Sequence, residues 1–153
     1  MTISKIPSAV EVADFLVKVH RIYGWRAQKE ALFSPRRIDV LAIAPGGTDV
    51  IGFEIKTSLS DLKAELNNPS KRLAVSRFCT QFYFVLPFGL ISASKIPKEC
   101  GVIYFFDDVQ CFLRRGAMNK SQPLVIEDAL RDALSTTEQA LDLVAINETT
   151  AVF

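Results

Sequence analysis

Histidine is nearly absent from this chain: His20 is the only one in 153 residues. Zinc hydrolases and histidine-metal nucleases need several, and a Ser-His-Asp triad would have to rest on this one. His20 also falls inside an amphipathic helical pattern, where a packing or surface role is the ordinary one. The three cysteines, Cys79, Cys100 and Cys111, show no Cys-x-x-Cys spacing and are odd in number. They fit buried free thiols better than a disulfide framework or a zinc cluster. Internal repeats, low-complexity segments and glycine-rich phosphate loops are also missing; Gly46-Gly47 is too short and sits in a turn. No apolar run reaches the length of a membrane span, and Met1 to Lys5 is too polar for a secretory signal, so a cytoplasmic protein is expected.

What is present suits a compact soluble fold, with 49% hydrophobic and 23% charged residues and enough chain for a real core. The net charge of +1 hides an asymmetry. Residues 1–120 carry 17 Lys and Arg against 11 Asp and Glu, a balance of +6, whereas residues 121–153 carry one against six, a balance of −5. The basic excess is densest at Lys18, Arg21, Arg26, Lys29, Arg36 and Arg37. Such a field attracts phosphate backbones with a salt-dependent affinity; a solvated helix face followed by a charged loop has the same composition.

Ser8-Ala9-Val10-Glu11 after Pro7 is a capping box, so a helix is predicted from Ala9, with Val10, Ala13, Leu16, Val17 and Val19 inward and Gly24 as its stop. Strands are predicted at Trp25–Phe33, Ile38–Ala44 and Asp49–Lys56, the last two joined by a turn at Pro45-Gly46-Gly47-Thr48. Ser58 and Asp61 open a second helix, Asn67-Asn68-Pro69 interrupts it, and a further helical segment covers about Lys71 to Cys79. Gln81–Leu86 and Val102–Phe106 are near-continuous apolar runs, the mark of strands covered on both faces. Cys111-Phe112-Leu113 adds a short strand, and two helical patterns follow near Leu124–Ser135 and Glu138–Ile146. The order implies an α/β fold, a mixed β-sheet flanked by helices.

The pattern that carries chemistry is Gly52-Phe53-Glu54-Ile55-Lys56-Thr57-Ser58 with Arg36-Arg37-Ile38-Asp39-Val40 upstream. On an extended strand Glu54 and Lys56 share one side, and a tight hairpin brings Asp39 near both. Two carboxylates beside a lysine suit a hard divalent cation held by oxygen ligands, Mg²⁺ or Mn²⁺, with an amine to orient or deprotonate water. That combination points to metal-dependent phosphodiester cleavage. A solvated strand face with a weak Glu–Lys pair would show the same Glu-x-Lys alone.

With these residues in place the chain resembles the PD-(D/E)XK nuclease superfamily, and within it the MmcB-like group of DNA-repair proteins. The likeness rests on Arg36-Arg37-Ile38-Asp39, Glu54-Ile55-Lys56-Thr57-Ser58, Asp61, Phe82-Tyr83-Phe84-Val85, and Ile96-Pro97 followed by Gly101, and covers about residues 25–106. It implies a restriction-endonuclease-like core (αβββαβ) within a nuclease-like domain at 1–120. An acidic helical tail at 121–153 would be packed on that core or joined loosely to it. It implies Asp39 and Glu54 as metal carboxylates, the Ile55 carbonyl as a further ligand and Lys56 as the residue that holds the attacking water. Glu30 stands where many members place another acid, as a metal ligand or simply as a surface strand residue. Arg36, Arg37, Lys71, Arg72 and Arg77 are the candidate contacts to DNA; Asp61 and Ser58 fit helix capping better than catalysis. Two departures stand out: Ile38 replaces the proline that names the superfamily, and no Lys-Trp pair follows in the helix after Glu-x-Lys.

The expected activity is a Mg/Mn-dependent deoxyribonuclease, acting in DNA repair or phage DNA processing, with a two-fold homodimer as the simplest way to cut both strands. The alternatives are a non-catalytic nucleic-acid- or protein-binding module on the same fold and, ranked last, a small-molecule enzyme using the same metal cage.

Overall fold

In the computed structural model, which describes residues 6–33 and 36–118, the first helix begins where the capping box places it. Helix α1 spans Ala9–Ile22, with the Ser8 Oγ accepting the Glu11 N–H at 3.2 Å and the Glu11 carboxylate accepting the Ser8 N–H. Its buried face is Val12, Ala13, Leu16 and Val17. Ala13, Leu16 and Val17 are as predicted, but Val12 joins them in place of Val10, which is exposed, and Val19 is only half-buried. Gly24, at φ +84°, follows the helix end and turns the chain into the sheet.

Six strands then form one sheet in chain order: β1 (Arg26–Phe33), β2 (Arg36–Ile43), β3 (Val50–Ile55), β4 (Gln81–Pro87), β5 (Gly101–Phe105) and β6 (Cys111–Arg115). β1, β2 and β3 run antiparallel to their neighbours, β3, β4 and β5 run parallel, and β6 returns antiparallel. The parallel step from β3 to β4 is bridged by α2 (Leu59–Leu66) and α3 (Pro69–Ser76). The helices are interrupted at Asn67 and Asn68 as predicted, and Pro69 opens α3, as its missing N–H and fixed φ allow in a first turn. The predicted strands all appear within about two residues of their expected bounds, and the sheet is mixed and flanked by helices. The two tail helices and the acidic segment 121–153 lie outside the described residues.

α1 covers one face of the sheet over Ala27, Val40, Ala42, Phe53, Ile55 and Val85. Leu62 and Val75, from α2 and α3, cover the other over Ile38, Leu41, Val50, Phe82, Phe84 and Leu86. Gly52 lies on this second face, where a Cβ would collide with the Ile38, Cys79 and Phe82 side chains. The thiols of Cys79 and Cys100 are buried here and that of Cys111 is half-buried, none of them in a disulfide.

One local irregularity decides where the polar residues go. Ala27 packs under α1, yet Ala31 and Phe33 pack on the opposite face, although all three are odd-numbered. β2 repeats the switch, with Ile38 on the second face and Val40 under α1. The register does not slip, since Lys29 pairs with Val40 and Ala31 with Ile38. The ribbon rolls over between these pairs, at Glu30 and Asp39, and Glu30 takes the left-handed φ of +52° that the roll requires. On this strand Gln28 is buried and Glu30 exposed.

Arg115, at the end of β6, ties the 93–100 loop to the sheet. Its Nη1 donates to the Ala93 carbonyl at 3.0 Å, and its Nη2 lies 2.8–3.2 Å from the carbonyls of Ile96, Pro97 and Cys100. Arg115→Ala leaves those acceptors without their charged donor and is expected to destabilise the fold by about 2–4 kcal/mol. Arg115→Lys should recover only part, because a point ammonium cannot span the same acceptors. Urea denaturation checks this, and an unchanged midpoint in Arg115→Ala would overturn it.

Candidate active site

The β2–β3 ladder runs from Ile43 opposite Val50 to Val40 opposite Phe53 and stops there. One step further, where Asp39 would face Glu54, the Ile55 N–H is taken by the Asp39 side chain, Oδ2 accepting at 2.8 Å. β3 keeps its other neighbour, for Ile55 pairs with Val85 and the Lys56 N–H donates to the Val85 carbonyl at 3.1 Å. The two strands thus part on one side only, and a carboxylate stands in the opening.

Glu54 lies beside this opening on the α2–α3 face. Burial pushes its pKa up to about 8, helped by the negative charges of Asp39 and Glu65 and by a side-chain hydrogen bond with Asp39, while Lys56 pulls the other way. A hydrogen bond between two carboxyl groups needs a proton on one of them, and burial makes Glu54 its natural holder. The Lys56 Nζ stands 3.5 Å from Glu54 Oε1 and 3.7 Å from Glu65 Oε2. Burial works to lower the Lys56 pKa, but Glu54, Glu65 and Asp39 outweigh it and raise it. Lys56 therefore stays an ammonium, held between a strand carboxyl and a helix carboxyl.

Glu65 is the member of this cluster that the sequence does not reveal. It sits on α2, 6% exposed, and also lies 3.8 Å from the Lys71 Nζ at the start of α3. Its one local signal is an acid beside the buried Leu62 and the partly buried Leu66, on a helix face that ought to be apolar.

Two clefts flank the parted strands. One, about 280 Å³, is lined by Ala9, Val10, Ala13, Lys29, Glu30 and Asp39. The other, about 210 Å³, is lined by Arg36, Arg37, Glu54, Glu65, Lys71 and Val75. Asp39 and Glu54 are thus joined through the strand pair but open to different sides. Among the described residues no three His, Cys, Asp or Glu side chains converge as a ready-made metal cage. Glu30 shares the first cleft with Asp39, opposite it in the β1–β2 register.

The basic residues divide by location. Arg36 and Arg37 are exposed on the second cleft and Lys71 joins them there. Arg77 is exposed but stacks over the Phe78 ring at 5.0 Å and does not line that cleft. Arg72, expected to face DNA, is buried at 5% exposure because α3 turns Arg72, Val75 and Ser76 toward the sheet. It lies 3.9 Å from Glu99 and 6.0 Å over the Phe84 ring, and is withdrawn from the phosphate-facing set. Further upstream the charge excess is partly consumed by the fold. Arg21 donates twice to the Ala27 carbonyl, and Lys29 pairs with Asp14 at 2.6 Å. His20 packs as a core residue, its Nδ1 2.7 Å from the Leu16 carbonyl and its ring against Trp25 and Phe53. Ser58 caps α2 through the Asp61 N–H, as expected. No helix among the described residues is long and apolar enough to cross a membrane.

No family model matches this chain, and no curated protein matches it. Among solved structures, a protein of unknown function from Silicibacter pomeroyi superposes with a TM-score of 0.62 at 18% identity, over 86% of this chain and 85% of that one. The similarity is of fold alone. A repair endonuclease from Pyrococcus abyssi gives a TM-score of 0.36 at 15% identity, over 56% of this chain and 40% of that one.

The raised Glu54 pKa has a signed consequence for stability. Below pH 4.5 the folded and unfolded chains both hold the proton; between 4.5 and about 8 the folded chain keeps it while the unfolded chain releases it. Metal-free protein is therefore expected to lose stability as pH rises through that window, by at most about 1.4 kcal/mol per unit from this group. Glu54→Gln should flatten the slope and be the more stable protein near pH 8. Chemical denaturation across pH 4.5–8.5 in EDTA measures it, and parallel profiles for the two proteins would refute the assignment.

Proposed function

We propose that this chain is a divalent-cation-dependent nuclease that hydrolyses DNA phosphodiester bonds on a restriction-endonuclease-like core formed by α1, β1–β3, α2 and β4. The observation that carries the reading is the convergence at the parted end of β2 and β3: Asp39 and Glu54 in mutual contact, with Lys56 3.5 Å from Glu54. The likeness of Asp39 and Glu54-Ile55-Lys56 to the PD-(D/E)XK pattern supports it.

The residues fit a hard cation. Burial and neighbouring negative charge hold Glu54 protonated near neutrality, and a cation is what would let the site ionise fully. Asp39, Glu54 and the Ile55 carbonyl are all oxygen donors, which select Mg²⁺ or Mn²⁺, with Glu30 in the Asp39 cleft and Glu65 in the Glu54 cleft as further carboxylates. When bound, such an ion polarises the phosphoryl oxygen and lowers the pKa of water. Lys56, kept charged by its acidic neighbours, directs N–H donors at the attacking water and offsets charge gathering on the phosphate. Arg36, Arg37 and Lys71 neutralise the backbone along the second cleft.

A binding module without catalysis is the second reading. What favours it is that Lys56 already has carboxyl partners on both sides, with no three-carboxylate cage among the described residues. It expects DNA binding with neither Mn²⁺ uptake nor cleavage.

Labelled single-stranded, duplex, flapped and junction DNAs with Mn²⁺ or Mg²⁺ decide between them. Wild type is expected to cut at least one; Asp39→Ala, Glu54→Gln and Lys56→Ala should each cut at least about a hundredfold more slowly while melting cooperatively. Full activity in Asp39→Ala or Lys56→Ala would sink the nuclease reading. Binding without cleavage, with calorimetry detecting no Mn²⁺, would establish the module.

A further inference from the structure

The even-numbered residues of β3, β4 and β5 face the α2–α3 side, and at the end where Glu54 and Lys56 lie the row continues as aromatic rings. Just past the Ile55–Val85 pair the Lys56 N–H donates to the Val85 carbonyl, which carries the row to Leu86; register then places Leu86 beside Tyr104 and Tyr104 beside Phe112. One two-residue step beyond that row come Phe88 and Phe106. Their ring centroids are 5.3 Å apart, and each lies within 6 Å of the Phe112 centroid. Phe112 is half-buried, but Phe88 is 61% and Phe106 40% exposed, a large outlay of aromatic surface to water. From strand spacing and rise, Phe88 stands about 8 Å from the Lys56 position.

We propose that Phe88, Phe106 and Phe112 form a stacking platform for unpaired nucleobases, so that the substrate of the adjacent site is single-stranded or frayed nucleic acid. The inference rests on the nuclease reading for its scissile phosphate, but the platform itself is independent of catalysis. Charge sets which edge of the strand faces the rings. Arg36, Arg37 and Lys71 line the cleft on one side of Glu54, while the β5–β6 turn beyond the rings carries the exposed Asp107 and Asp108. Phosphates are drawn to the cleft and repelled from the turn, which leaves the bases to lie over the rings. Aromatic faces take any base, and stacked bases in a duplex have none to offer. An aliphatic partner would be served equally well by Leu or Met; three rings beside a cationic cleft suit a strand with bases on one edge and charge on the other.

Fluorescence anisotropy with Ca²⁺ in place of Mg²⁺ tests this without cleavage. The full chain is titrated with oligothymidine, an abasic strand of equal length, and a duplex. Wild type is expected to bind oligothymidine at least tenfold more tightly than the abasic strand. Phe88→Ala and Phe106→Ala should each lose roughly five- to a hundredfold in oligothymidine affinity with abasic affinity and salt slope unchanged, and Phe88→Trp should retain binding and be quenched by it. Equal wild-type affinity for the two strands overturns the proposal. So does a Phe88→Ala effect confined to oligomeric mass, which makes the patch an interface between copies, or a gain in affinity for both strands, which makes it the seat of the acidic segment 121–153. Cleavage run in parallel separates the two ideas: cutting without base dependence leaves only the nuclease standing, and base dependence without cutting leaves only the platform.

Discussion

The Ile55 amide finds its partner in the Asp39 carboxylate instead of the β2 backbone, and the shape of the site follows from that hydrogen bond. An inner-strand amide left without a partner costs about 1–3 kcal/mol, so strands part in mid-sheet only where something replaces the lost ladder. A carboxylate does so with a charge-assisted bond, which is stronger than the backbone bond it replaces. β3 can then stay in register with β4 while releasing β2, and Glu54 gains a neighbour it would otherwise meet only across a regular ladder. The roll of the β1–β2 ribbon at Glu30 and Asp39 serves the same end. It turns the start of β2, with Arg36 and Arg37, toward the cleft that Glu54, Glu65 and Lys71 line.

Much of the architecture was legible because local signals agreed with one another. The Ser8–Glu11 box, the Ser58 cap, the Pro45–Gly47 turn and the apolar runs at Gln81 and Val102 each specify one element, and each element forms there. Asp39, Glu54 and Lys56 were legible as a group because strand periodicity and a short turn bring them together. Three features escaped. The ribbon roll breaks period-two patterning at a glutamate with left-handed φ, for which no glycine or asparagine gives warning. Arg72 carries a surface residue's chemistry but is turned inward by the rotation of α3, where the Phe84 ring and Glu99 receive it. Glu65 enters the cluster only through the packing of α2 on the sheet, a contact that no spacing along the chain encodes.

The cluster is an energetic liability that the rest of the sheet can bear. Burying Glu54 beside Asp39 and Glu65 forces one carboxyl to keep its proton, and Lys56 compensates only part of the remaining charge. Such an arrangement disfavours folding at high pH and favours whatever positive charge can enter. The stabilising surfaces lie elsewhere: Phe84, Leu86 and Leu41 on one face and Val12, Val40 and Phe105 on the other are essentially sealed from water. Like charges held this close repel, so a cation bound there, as proposed, would relieve the repulsion that Lys56 leaves uncompensated.

Among the exposed large hydrophobics of the described residues, Phe88 and Phe106 are two whose rings pack together at one end of the second face. α2 and α3 cover the second face over β2, β3 and β4, and the 93–100 loop, tied down by Arg115, covers it again at its other end. Phe88 and Phe106 project beyond both covers, on the side where the charges are. A core that needed those rings would have buried them under a longer α2–α3 crossover or a longer loop. On the platform proposal a strand leaving the cationic cleft would pass over them, and binding it would take their exposed aromatic surface out of water.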